Sequence, residues 1–273
     1  MPERPPDQIA ANWSALADDY ERSFEGLSGP FAAEALRRLG LRPGEELLDI
    51  AAGTGALALQ AARAGAKVLA TDFAEGMVTR LRARIRAEGL EGIRAEVMDG
   101  QALALPDGGF DVCASVLGLI FFPDIPRGLA EMRRVLRPGG RAAVVCWADP
   151  QGLELMTRLV DALRQVLPGF QLPPGPPVWA RLAGAEPLRL GMQAAGFRDV
   201  EVSTFTGSLQ IPDPETFWTT FTRSGPPLAF LFDRLGPEQT EAVGRAYVAA
   251  LARSAEGGPP TLRAEACIGI GGT

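Results

Sequence analysis

The stretch from Leu47 to Leu59 constrains the fold of this chain more than any other. Leu47 to Ile50 is an apolar run that carries one acid, Asp49, and a small turn with glycines at 53 and 55 follows it before an Ala/Leu-rich segment. This order is typical of a buried strand, a tight loop and the start of a helix. Glycine lets a ligand approach the backbone, and the first N–H groups of a helix are free to bind it. The stretch therefore predicts a ligand-binding loop in an α/β fold.

Two classes of ligand fit such a loop. The spacing Gly53-x-Gly55-x-x-Ala58, with Asp72 at the distance expected for a ribose-binding acid, matches a loose dinucleotide fingerprint and would indicate an NAD-dependent oxidoreductase. Asp49 argues for the other class, because a buried carboxylate is costly unless a cationic or polar group uses it. It would repel a dinucleotide phosphate and attract the ammonium group of a methionine moiety.

With Asp49 included, the loop resembles the first motif of the class I S-adenosylmethionine (SAM) methyltransferases, acid-x-Gly-x-Gly-x-Gly. Ala51 stands where that family has its first glycine. Since alanine tolerates most of the same conformations, we interpret Ala51 as tightening the pocket without abolishing it. Three further phrases are similar to the family, and the likeness runs through about the first half of the chain, to Trp147. They cover Asn12–Tyr20, Leu105–Val112 and Glu131–Gly140. The ubiquinone/menaquinone-type C-methyltransferases share this motif pattern.

The resemblance implies a Rossmann-like α/β fold, with a seven-stranded, mostly parallel sheet, an antiparallel last strand and helical insertions that form a cap. A length of 273 residues with 47% hydrophobic content suits one large domain. We expect a single SAM-binding domain over 1–273. Its parts would be a helical lid (1–40), a cofactor-binding core (41–150) and two insertions that roof the substrate site (151–187 and 212–260).

Glycines and prolines predict where helices begin and end. We expect helices from Ile9 to Phe24 and from Pro30 to Leu39, and a third from Thr54 to Ala64. Asp124 is predicted to cap a later helix that Pro138-Gly139-Gly140 ends.

The same resemblance implies SAM as the cofactor, with S-adenosylhomocysteine (SAH) as its product. Asp72 is expected to accept both ribose hydroxyls through its two oxygens, or else to cap the next helix. Asp99 would accept the adenine amine beside the backbone of Gly100 and Gln101, and Phe73 and Met77 flank the adenine or serve only as packing. The predicted cofactor-binding residues are Tyr20, Asp49, Ala51, Ala52, Gly53, Thr54, Gly55, Asp72, Phe73, Met77, Asp99, Gly100, Gln101, Ser115, Val116 and Leu117.

Methyl transfer from a sulfonium is an in-line displacement, for which alignment of the reactants supplies much of the acceleration. The chain contains no histidine, so an imidazole base is impossible. No motif identifies a catalytic residue or a metal site. A protein on this fold that binds SAM or SAH without catalysis is the alternative to an enzyme, and an NAD-dependent oxidoreductase is a further one.

A small molecule is the expected methyl acceptor. Aromatic residues of the two insertions either line a pocket for an apolar or aromatic acceptor or form a small core of their own. These residues are Phe170, Trp179, Phe217, Trp218, Phe221, Phe230 and Phe232.

Composition excludes several other partners. The net charge of −6 argues against a nucleic-acid groove, and the arginines from Arg80 to Arg86 are predicted to form the solvated face of a helix.

Met1 to Gln8 has no apolar segment, so no signal peptide is predicted, and no run is long enough to span a membrane. Cys113, Cys146 and Cys267 lie in apolar runs and are expected to be buried, reduced thiols of a cytoplasmic protein.

Overall fold

The computed structural model describes residues 4–172, 175–255 and 258–273. The remaining residues, 1–3, 173–174 and 256–257, lie outside the described part. The predictions that fall on them concern the first residues of the lid and short pieces of the two insertions.

Seven strands in the described residues form one sheet. They are β1 (Glu46–Ile50), β2 (Lys67–Asp72), β3 (Ile93–Val97), β4 (Phe110–Val116), β5 (Leu136–Trp147), β6 (Arg198–Gln210) and β7 (Thr261–Gly272). Their order is β3-β2-β1-β4-β5-β7-β6. The first five strands pair in parallel, and β7 pairs antiparallel with both β5 and β6. The predicted fold class, with its antiparallel last strand, is confirmed.

The described helices flank this sheet. They are α1 (Ala10–Ala15), α2 (Ala17–Leu39), α3 (Ala58–Arg63), α4 (Glu75–Ala87), α5 (Ile125–Arg134), α6 (Glu154–Val166), α7 (Ala185–Ala194), α8 (Pro214–Phe221) and α9 (Pro226–Arg253). Helix α2 packs on α3 and α4, α5 packs on α7, and α6 packs on α9 over one end of the sheet. Between these layers lies one continuous apolar core that includes Leu48, Val144 and Cys113.

The N-terminal helices differ from the prediction. The chain breaks at Leu16, and α2 then runs unbroken through Pro30 to Leu39. The prediction that the helix breaks before Pro30 was therefore wrong. Leu27, Phe31 and Ala35 are fully buried along α2, and this burial holds the helix through the proline.

Two other helix boundaries also differ from the prediction. Residues 54–57 form turns, so α3 begins only at Ala58. The glycines at 139 and 140 do not end a helix, because α5 stops at Arg134 and the segment already belongs to β5. Asp124 caps α5 as predicted, since its side chain accepts a 3.0 Å hydrogen bond from the Arg127 backbone N–H.

The arginines of α4 are less solvated than the sequence predicts. Arg84 donates to Glu25 of α2 at 2.5 Å and to the backbone oxygen of Thr54 at 2.9 Å. Arg80 forms a second ion pair with Glu21. These pairs join α4 to α2 beside the glycine-containing loop.

All three cysteines are buried and unpaired. Of the helices that the structure describes, none combines the length and the apolarity needed to cross a bilayer.

Candidate cofactor and acceptor site

The sheet order places the site. Strand β1 lies between β2 and β4, so the connections from these strands leave in opposite directions and open a crevice at their carboxyl ends. A cavity of about 250 Å³ lies there. Its walls are Arg4, Asp7, Gln8, Trp13, Tyr20, Ala51, Gly53, Asp72, Phe73, Met77, Met98, Asp99, Gly100, Gln101, Val116, Leu117, Gly118, Phe121, Phe122 and Pro123. Eleven of the sixteen predicted cofactor residues are thus brought together around one cavity.

The loop after β1 presents its backbone to this cavity. Gly53 has φ +55, and a Cβ atom there would lie 3.4 Å from the Tyr20 ring. Ala51 also has φ +55, in the left-handed region that costs an alanine about 1–2 kcal/mol. Ala51 takes this conformation, as we expected, and lines the cavity, but at a cost in backbone strain that glycine would not carry.

Asp72, at the end of β2, organises the loop. Its Oδ2 accepts a 2.9 Å hydrogen bond from the Gly53 N–H, and its Oδ1 accepts one of 2.9 Å from Ala74 at the start of α4. The bond from Ala74 lies just before α4, as the capping alternative expects. Ribose binding by the same carboxylate stays a prediction, which these bonds permit because each oxygen has two lone pairs. Burial raises the pKa of Asp72 to about 6, against the lowering effect of these hydrogen bonds.

Asp99 follows β3 and is exposed at the cavity mouth. Its Oδ1 accepts hydrogen bonds from the backbone N–H (2.9 Å) and the side-chain amide (3.1 Å) of Gln101. The Gln101 amide oxygen in turn accepts from the Asp124 N–H at 2.9 Å. These bonds fix the segment after β3 to the cap of α5.

Asp49 lies apart from the main cavity. Its carboxyl is 1% exposed, and it lines a separate void of about 10 Å³ together with Ala52 and Thr54. Its Oδ2 has no hydrogen-bond partner among the described residues. Burial, with the nearby charge of Asp72, raises the pKa of Asp49 to about 8. The void has the minimum size for one water molecule, so a direct contact with an ammonium group requires the wall to shift.

Two predicted residues are buried beside the site without lining either space. The Gly55 backbone packs against Leu81 and Leu59. Ser115 is fully buried on β4, and its hydroxyl lacks a partner among the described residues.

Residues 4–8 close one side of the cavity. They lie within the lid predicted for residues 1–40, but none of them was among the predicted site residues. Residues Pro6–Gln8 form a single 3-10 turn. Trp13 donates through its indole N–H to the Asp7 backbone oxygen (2.9 Å), and the Asn12 amide donates to the Pro6 oxygen (3.0 Å). A three-residue turn has no hydrophobic periodicity, so the sequence gives no signal for it. The other wall residues that we missed are Arg4, Met98, Gly118, Phe121, Phe122 and Pro123.

A second cavity, of about 70 Å³, adjoins the first. Its walls are Trp13, Tyr20, Phe24, Leu117, Ile120, Phe121, Trp147, Leu153, Met156, Val178, Trp179, Ser224, Gly225, Pro227 and Leu228. Trp13, Tyr20, Leu117 and Phe121 line both cavities.

The insertion aromatics divide between the two roles foreseen for them. Trp179 lines the second cavity. Phe217, Trp218, Phe221 and Phe232 instead pack around Tyr247, with ring centroids 5.2–6.5 Å apart. This group is continuous with the main apolar core and not a separate one. Phe230 is half exposed. Phe170 packs against the main core.

The walls of the first cavity fit SAM by their chemistry. A nucleoside needs a carboxylate with free lone pairs for its ribose, which Asp72 offers, and an acceptor for its amine, which Asp99 offers. Phe73 and Met77 supply apolar walls, and the Gly53 backbone admits close approach. The unpartnered Oδ2 of Asp49 is a buried acceptor with a cationic ligand as its natural counterpart.

Comparison with known proteins agrees with this reading. Residues 47–140 match a family model described as a methyltransferase domain. The nocamycin O-methyltransferase of Saccharothrix syringae is 30% identical over 258 residues, covering 90% of this chain and 91% of that protein. An uncharacterized protein of Mycobacterium tuberculosis is 33% identical over 67% of this chain, which spans 66% of that relative's length. The demethylmenaquinone methyltransferase of Corynebacterium kroppenstedtii is 29% identical over 76% of this chain and 93% of that protein.

Solved structures show the same fold. The YcgJ protein of Bacillus subtilis aligns with a TM-score of 0.59 at 18% identity, covering 89% of this chain and 97% of that one. A phosphoethanolamine N-methyltransferase of Haemonchus contortus, solved with SAM, aligns with a TM-score of 0.56 at 18% identity, covering 89% of this chain and 52% of that one.

The chain belongs to the class I SAM-dependent methyltransferases. As a member of this family, the chain uses S-adenosyl-L-methionine as its cofactor.

Proposed function

We propose that this chain transfers the methyl group of SAM to a small molecule that binds in the second cavity. The observation that carries the proposal is the wall shared by the two cavities, formed by Trp13, Tyr20, Leu117 and Phe121. Because the same four residues line both cavities, ligands bound in them would lie side by side. In-line transfer then requires the methyl group and the acceptor atom to come into direct contact between these side chains.

Bound SAM would supply a methyl group activated by a sulfonium. In this proposal Asp72 holds the ribose, Asp99 the adenine amine, and the Gly53 backbone borders the methionine moiety. The segment with Trp13 closes one side of the cofactor cavity.

The protein acts by positioning and supplies no base at the second cavity. No Asp or Glu is among the residues that line this cavity in the described part of the chain. Burial and nearby carboxylates raise the pKa of Tyr20, so its phenol stays protonated at neutral pH. The proton of the acceptor therefore has no carboxylate among the described residues of this wall to receive it and passes to solvent.

The named relatives do not point to one methyl acceptor. The two named relatives, an O-methyltransferase of nocamycin and a methyltransferase of demethylmenaquinone, act on different molecules by their names. Membership in the ubiquinone/menaquinone-type subgroup stays a prediction.

Calorimetric titration with SAM, SAH and NAD tests the cofactor part, and SAH release in the presence of candidate acceptors tests transfer. Micromolar binding of SAM and SAH together with acceptor-dependent SAH formation supports the proposal. Binding of NAD alone would overturn it. Tight SAM binding without SAH release from any acceptor favours the non-catalytic alternative.

A further inference from the structure

The second cavity carries two unsatisfied polar groups in an apolar wall. The indole N–H of Trp179 and the hydroxyl of Ser224 are buried and have no hydrogen-bond partner among the described residues. Both residues line the cavity, and apolar side chains such as Phe24, Leu153 and Met156 make up most of the rest of its wall. A buried polar group without a partner is costly, so each one in a native structure calls for an explanation.

The two groups come from different insertions. Trp179 lies in the short 3-10 turn Val178–Ala180, before α7, and Ser224 lies in the turn between α8 and α9. Each of the two insertions therefore contributes one residue with an unpartnered polar atom to the wall of the same cavity.

The wall has no charge to offer a ligand. None of the residues that line this cavity in the described part of the chain is Asp, Glu, Lys or Arg. A carboxylate, phosphate or ammonium group placed there would lose its hydration without gaining a counter-charge. The ligand portion that enters is therefore neutral.

The hydrogen-bonding chemistry of Trp179 and Ser224 narrows the class of ligand further. An indole N–H only donates, and a serine hydroxyl both donates and accepts. The complementary ligand atom is thus a hydrogen-bond acceptor, which a carbonyl, ether or hydroxyl oxygen supplies.

The volume of the second cavity limits the size of the ligand portion that can enter it. One water molecule needs about 10–15 Å³ of cavity volume. The second cavity, of about 70 Å³, therefore holds about five to seven heavy atoms. That is one small ring or a short chain.

We propose that the second cavity binds the reacting end of a neutral, mostly apolar acceptor, one small ring or its equivalent, whose oxygen accepts hydrogen bonds from Trp179 and Ser224. This assignment rests on the proposed methyl transfer, whose acceptor site it describes.

Calorimetry on the full chain, with and without SAH, tests it with three single-ring probes: p-cresol, 4-methylbenzoate and toluene. Neutral 4-methylbenzamide, which has the same size as 4-methylbenzoate, separates the effect of charge from the effect of size. We expect p-cresol to bind at least about tenfold more tightly than the anion. Trp179→Phe and Ser224→Ala should each weaken p-cresol about 2- to 12-fold, the value of one hydrogen bond, and leave toluene unchanged. Ser208→Ala, at an exposed position on β6, is the matched control and should change nothing.

Equal or tighter binding of 4-methylbenzoate would overturn the inference, as would p-cresol affinity that neither substitution alters. SAH titration of each variant confirms that its cofactor site is intact. Binding of SAH without binding of p-cresol would refute the acceptor assignment alone. Failure of the wild-type chain to bind SAH would refute the proposed function, and the p-cresol titrations without SAH would still decide the ligand class.

Discussion

Gly118, just after β4, packs against Ala51, in the loop after β1, so tightly that a Cβ atom at residue 118 would lie 2.5 Å from the Ala51 Cβ and 2.9 Å from the Ala51 carbonyl oxygen. The backbone at Gly118 is right-handed, with φ −96, so only the lack of space requires a glycine there. The two residues meet where the carboxyl ends of neighbouring strands form the floor of the cofactor cavity.

We therefore expect Gly118→Ala to destabilise the protein by about 1–3 kcal/mol, the usual cost of overpacking. The melting temperature should fall by about 2–4 °C for each kcal/mol. Adding Ala51→Gly removes the closer of the two clashes and should restore part of the loss. Thermal unfolding of both variants, with Gly169→Ala as a control in open space, measures this. A melting temperature of Gly118→Ala equal to that of the control would contradict the packing argument.

Asp72 links folding to cofactor binding. Asp72→Ala leaves the Gly53 and Ala74 N–H groups without their acceptor, at about 1–3 kcal/mol for a buried group. We expect a lower melting temperature in the absence of ligand and a loss of SAM affinity of at least about tenfold. Asp72→Asn keeps one acceptor and should lie between wild type and Asp72→Ala. Asp161→Ala, an exposed carboxylate on α6, is the control. Unchanged SAM affinity in Asp72→Ala would refute the ribose assignment.

The strand–loop–helix unit and its ligand were readable from the sequence because local pattern dictates them. The apolar run before Ala51 and the acids at 72 and 99 predict strand ends, and strand ends of a parallel sheet converge on one edge. The cap at Asp124 was equally local, since a side chain bonds its own helix.

The features that the sequence did not predict depend on contacts between residues far apart in the chain. Pro30 signals a helix break, yet the packing of Phe31 against Trp147 and Phe205 keeps α2 intact. The second cavity joins Phe24, Trp147 and Leu228, which lie far apart in sequence. Nothing in the periodicity of any one segment indicates that these residues meet.

Asp49 makes stability depend on pH. Its pKa of about 8 in the fold lies far above the value of about 4 for an unfolded aspartate. Between these values the unfolded chain ionises while the folded one holds its proton, so this carboxyl lowers stability as pH rises from about 4 to 8. The pKa of Asp72, about 6, acts in the same direction over a narrower range.

Asp49→Asn removes the larger of these costs. We expect its melting temperature to exceed that of the wild type by at least about 2–4 °C at pH 8 and the two to converge near pH 4. SAM affinity should fall at pH 8, because the ionised carboxylate is the form that attracts a cation. Asp161→Asn is the surface control. A difference in melting temperature that stays constant from pH 4 to pH 8 would contradict the raised pKa of Asp49.

Residues 4–8, which close one side of the cofactor cavity, are held in place by the Asn12 side chain. This side chain can be removed without changing the walls of the cavity. Asn12 does not line the cavity, yet its amide donates to the Pro6 backbone oxygen at 3.0 Å. Asn12→Ala should therefore loosen residues 4–8, which border the cavity through Arg4, Asp7 and Gln8. One hydrogen bond is worth about 0.5–1.5 kcal/mol, so SAH should dissociate about 2- to 12-fold faster while the association rate changes little. Stopped-flow fluorescence of the tryptophans follows both rates, with Gln165→Ala at an exposed site as the control. An SAH dissociation rate equal to that of the control would show that the segment does not retain the cofactor.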